Sequence, residues 1–80
     1  MNITTAIKTL EGVDCAALTG LALNAAAVII QSNCDPTVLT DVADLVRQIA
    51  NYREAPSPIA AKFVNNCAAK VVDSYYRNNA

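Results

Sequence analysis

The chain has 80 residues, 54% of them hydrophobic, with a formal net charge of −1 and no histidine. That length makes one domain, residues 1–80, with a thin core. The balance argues neither for nucleic acid nor for a strongly acidic partner, and the commonest general base is missing. Charge is nonetheless split along the chain. Residues 1–45 set Lys8 against Glu11, Asp14, Asp35, Asp41 and Asp44, a net of −4. Residues 46–80 set Arg47, Arg53, Lys62, Lys70 and Arg77 against Glu54 and Asp73, a net of +3.

Ile3, Ala6, Ile7 and Leu10 recur at helical spacing. Asn2 or Thr4 can cap this segment and Gly12 can end it, which predicts a short helix over 3–11. Asn2-Ile3-Thr4 matches a glycosylation acceptor. The chain opens at Met1 with no basic segment or cleavage site, so the triplet reads as chance and a cytoplasmic location is expected.

The next segment, DCAALTGLALNAAAVIIQSNC, carries no charge between Asp14 and Asp35. Asp14 can cap a helix over about 15–32. The apolar run from Cys15 to Ile30 is about 24 Å of helix, short of the roughly 30 Å hydrocarbon core, and its flanks are acidic. No membrane span is expected. A helix apolar on nearly every side needs cover on every side. This one is expected to be the most buried element, with Leu21, Ala25, Val28 and Ile29 against its own chain. Its line of small residues, Gly20, Asn24 and Ala27, is expected to meet a second protomer in a homodimer or to lie under the first helix. Two copies of Asn24 could satisfy each other across a two-fold axis.

Asp35-Pro36 is a cap followed by a proline at the first helical position, where its missing N–H costs nothing. Val38, Leu39, Val42, Leu45, Val46 and Ile49 form one face of the third helix. Asp44 and Arg47, three apart, are placed to pair. Pro56 ends this helix, and Ser57-Pro58 repeats the cap–proline device. In the fourth helix a stripe of Ile59, Ala60, Phe63, Val64, Cys67, Ala68, Val71, Val72 and Tyr75 reads as core. On that reading Phe63→Ala would cost about 3–5 kcal/mol. Arg77 to Ala80 should fray. The fold expected is therefore all-α: a small antiparallel bundle of three long helices and one short N-terminal helix.

Little in this chain carries chemistry. Cys15, Cys34 and Cys67 lie in no CxxC pair and have no histidine beside them, so they read as buried reduced thiols. No phosphate-binding, nucleophile-elbow or zinc-protease motif occurs. Asp41 and Asp44 share a helix, but two acids on a polar face are ordinary. No enzymatic activity, cofactor or metal is expected.

What remains is protein binding, by a stoichiometric regulator or inhibitor. Phage- and plasmid-encoded inhibitors, such as anti-CRISPR and anti-restriction proteins, are built on this scale; the analogy is of size only. The expected recognition surface is the polar columns of helices three and four. These carry Asp41, Asp44, Arg47 and Arg53 on one, and Lys62, Asn66, Lys70, Tyr76 and Arg77 on the other. Tyr and Arg are the types that most often anchor interfaces. Two alternatives are a nucleic-acid-binding regulator using Lys62, Lys70 and Arg77, and a structural subunit of a larger assembly. The three cations form a weak patch with Asp73 among them, so nucleic acid is the lesser expectation.

Overall fold

The computed structural model describes residues 1–78. Four helices and no strand are found among them: α1 Ile3–Gly12, α2 Thr19–Gln31, α3 Pro36–Glu54 and α4 Pro58–Asn78. The fold is all-α, with α1 short, α3 and α4 long, and α2 shorter than its apolar run suggested. No helix among the described residues is long and apolar enough to cross a membrane.

Local chemistry sets three of the four starts. The Asn2 side chain accepts the Thr5 N–H at 2.9 Å. Asp35 accepts from Thr37 N at 2.8 Å, with Pro36 opening α3. Ser57 Oγ accepts from Ala60 N at 3.0 Å, with Pro58 opening α4. Each side-chain oxygen satisfies an N–H that the first turn leaves free. After α2 the chain reverses through Asn33, which sits in the left-handed region at φ 59°. Asparagine tolerates that conformation better than most residues.

The helices form a ring in chain order. α1 packs on α2, α2 on α3, α3 on α4, and α4 closes back on α1, while neither diagonal pair meets. Arg53 Nε donates to Thr19 Oγ1 at 3.1 Å, joining the end of α3 to the start of α2 in an antiparallel pair. The core holds Ile7, Leu10, Ile29, Val38, Val42, Leu45, Ile49, Val64 and Val71. Ala22, Ala25 and Ala26 are α2's main buried contribution, and their small side chains bring its backbone close to its neighbours.

Ring topology corrects several expectations. α2 has two helical neighbours, so it is not wrapped. Ala25 and Ile29 are buried and Val28 partly so, but Leu21 is 37% exposed. Gly20, Asn24 and Ala27 all lie on the outward face, in the open and not under α1. Asn24 is consequently no buried amide in need of a partner within its own chain.

The start of α2 also moves, from the expected 15 to Thr19. Asp14 does cap, but it caps a turn. Its carboxylate accepts from Ala16 N at 3.1 Å and Ala17 N at 3.3 Å, and its carbonyl accepts from Ala17 and Leu18 N. This turn tucks Cys15 and Ala16 into the core before the helix begins.

In α4 the core-facing line runs through Val64, Ala68 and Val71. Phe63 stands about 100° around the helix from Val64, and is 51% exposed. Ile59, one turn earlier, is also exposed. Neither belongs to the core, and the large cost assigned to Phe63→Ala does not apply. Ser74, one turn beyond Val71, is buried as well. α4 stays helical through Arg77 and Asn78, where Asn78 Nδ2 donates to the Ser74 carbonyl at 2.8 Å. The expected fraying of Asn79 and Ala80 lies outside the described residues.

Candidate functional site

Two features of α4 stand out, one on each side of its outer surface. The first is an exposed ridge. Ile59 and Phe63 are i, i+4 neighbours, and Lys62, Asn66 and Lys70 are exposed around them. Lys62 and Lys70 enter no ion pair among the described residues. Arg77 does: it pairs with Asp73 one turn back. The three cations proposed for a nucleic-acid face are thus two free lysines and one neutralised arginine.

The second feature is a groove of about 510 Å³ between the C-terminal end of α1 and α4. Leu10, Val13, Ala69 and Val72 give it apolar walls; Glu11, Asp14 and Asp73 give it three carboxylates. Asn65 and Tyr76 complete the lining, and no lysine or arginine takes part. Asn65 holds one end together. Its Oδ1 accepts from Cys15 N at 2.9 Å and its Nδ2 donates to Asp14 Oδ1 at 2.9 Å. The Asn65 amide, with the Ala17 and Ala16 N–H groups, holds the Asp14 carboxyl below its ordinary range. At the other end the Tyr76 hydroxyl donates to Glu11 Oε2 at 3.2 Å. Desolvation and the Glu11 charge raise the Tyr76 phenol above its usual range, so it stays a neutral donor at neutral pH. The Tyr75 ring meets Tyr76 edge-on, centroids 5.7 Å apart, which helps fix its rotamer.

The α3 residues expected in a recognition surface lie nearby in part. Asp41 and Asp44 are half-buried and Arg47 is exposed. Arg47 pairs with Asp44, as their spacing predicted. The charges of Asp44, Lys70, Arg47 and Asp41 all act on the half-buried Cys67 thiol, which marks the α3–α4 seam where the two columns meet. Arg53 stands apart, tied to Thr19. Lys62, Asn66, Lys70, Tyr76 and Arg77 share the outer surface of α4.

The cysteines are free thiols. Cys15 is fully buried, its Sγ 3.8 Å from the Leu10 and Val13 carbonyls. Burial, then the Asp14 charge, pushes its thiol above the usual range; burial does the same for Cys34 and, foremost among several causes, for Cys67. None is activated as a nucleophile.

Sequence reasoning missed the groove. Asn65 gave no signal, being one polar residue among several on a helix, and Glu11 and Tyr76 lie 65 positions apart. Compared with known proteins, the chain matches no family model, no curated protein and no solved structure.

Proposed function

We propose that this chain is a non-enzymatic protein-binding module, a stoichiometric regulator or inhibitor, whose recognition surface is the outer face of α4. The observation that carries the reading is the exposure of Ile59 and Phe63 beside Lys62, Asn66 and Lys70. Large apolar side chains one turn apart on a rigid helix, rimmed by cations, have the form of a docking ridge. The Asp41, Asp44 and Arg47 column extends the surface across the α3–α4 seam. The test is parallel capture from native-cell lysate with wild type, Phe63→Asp and Lys70→Glu as bait, each first shown to be folded by circular dichroism. A protein retained by wild type and lost by both variants supports the assignment. Retention by both variants places the recognition surface elsewhere.

A further inference from the structure

The outward line of α4 has a regular spacing. Ile59, Lys62, Asn66, Ala69, Asp73 and Tyr76 follow one another at intervals of 3, 4, 3, 4 and 3, and all six are exposed. Such spacing keeps one stripe of a helix pointed at a partner helix. The order of residues along the stripe is complementary to itself when reversed. If a second copy of α4 lies antiparallel about a two-fold axis between Asn66 and Ala69, Ile59 faces Tyr76, Lys62 faces Asp73 and Asn66 faces Ala69. Each contact occurs twice, as an isologous interface requires.

We infer that the partner of this face is a second copy of the chain, paired α4 to α4 in that register. The inference rests on the outer face of α4 being a protein-binding surface. Charge complementarity supports it. Lys62 enters no ion pair among the described residues, and it arrives opposite Asp73, which already pairs with Arg77 and is one of three carboxylates in a groove whose lining holds no lysine or arginine. Along one edge of the stripe the same register brings Phe63 nearest the partner's Lys70, an aromatic face beside an ammonium. The outward face of α2, by contrast, carries no charge, so Gly20, Asn24 and Ala27 specify no ionic register. The dimer is therefore assigned to α4. One helix pair is a small interface, so association in the micromolar range is expected.

Sedimentation equilibrium over about 10–500 µM tests this with folded wild type, Lys62→Asp, Asp73→Lys and the double swap. Wild type should dimerise. Each single swap should raise the dissociation constant about tenfold or more, and the double swap should recover most of that loss. Lys70→Gln should weaken the dimer severalfold, because it removes the cation beside Phe63. A wild type monomeric throughout overturns the self-pairing and leaves the wider protein-binding reading to the capture experiment. A dimer insensitive to both single swaps but broken by Ala27→Glu also overturns it, placing the interface on α2.

Discussion

Asn65 and Asp14, 51 residues apart in sequence, are joined by a 2.9 Å hydrogen bond from the Asn65 amide to the Asp14 carboxylate. The same Asn65 side chain accepts the Cys15 N–H. One α4 side chain thus ties down the turn that connects α1 to α2. Asn65→Ala leaves that part-buried N–H without its acceptor and should destabilise the fold by about 1–2 kcal/mol. Asn65→Asp should not rescue, because a second carboxylate cannot donate to Asp14. Urea unfolding of the three proteins measures both statements.

The same contact makes stability depend on pH. The folded-state pKa of Asp14 is lowered, so its contribution is present above the unfolded value of 3.8 and is lost as pH falls through the folded value. Melting of wild type and Asp14→Asn compared between pH 7 and pH 2, about the range in which carboxylates titrate, reads this out. The wild-type advantage should shrink below the unfolded pKa and vanish once the folded carboxyl is protonated.

Core and ridge residues should separate cleanly in mutagenesis. Leu45 and Ile29 are fully buried, and Leu45→Ala or Ile29→Ala should cost about 2–5 kcal/mol. Phe63→Ala should cost about 1 kcal/mol or less, because half of its surface already faces water. Chemical denaturation of the three variants checks the contrast; a Phe63 loss as large as that of Leu45 would contradict the placement.

Ser74 offers a stabilising substitution. Its side chain is 2% exposed, and its hydroxyl has no hydrogen-bond partner among the described residues. Ser74→Ala removes an unsatisfied buried group and improves helix propensity, so it should be neutral or stabilising by up to about 1 kcal/mol. A shift of the thermal midpoint upward or nil is expected; a large fall would mean that the hydroxyl has a partner.

The sequence by itself determined where α3 and α4 begin. Asp35-Pro36 and Ser57-Pro58 act within one turn of chain, and both side-chain caps form as their local spacing predicts. The Asp44–Arg47 pair was legible for the same reason. Tertiary structure decided which side of each helix turned inward. The apolar stripe of α4 is broad enough to offer either Val64 or Phe63 to the core, and only the position of its neighbours in the ring selects Val64. It also decided how α2 is covered. A charge-free segment signals burial on every side, but with two helical neighbours only the face of Ala22, Ala25, Ala26 and Ile29 is enclosed. The late start of α2 shows why such features resist reading along the chain. Asp14 could cap a helix or a turn with the same carboxylate, and the structure has the turn, held by Asn65 from the far end of the sequence.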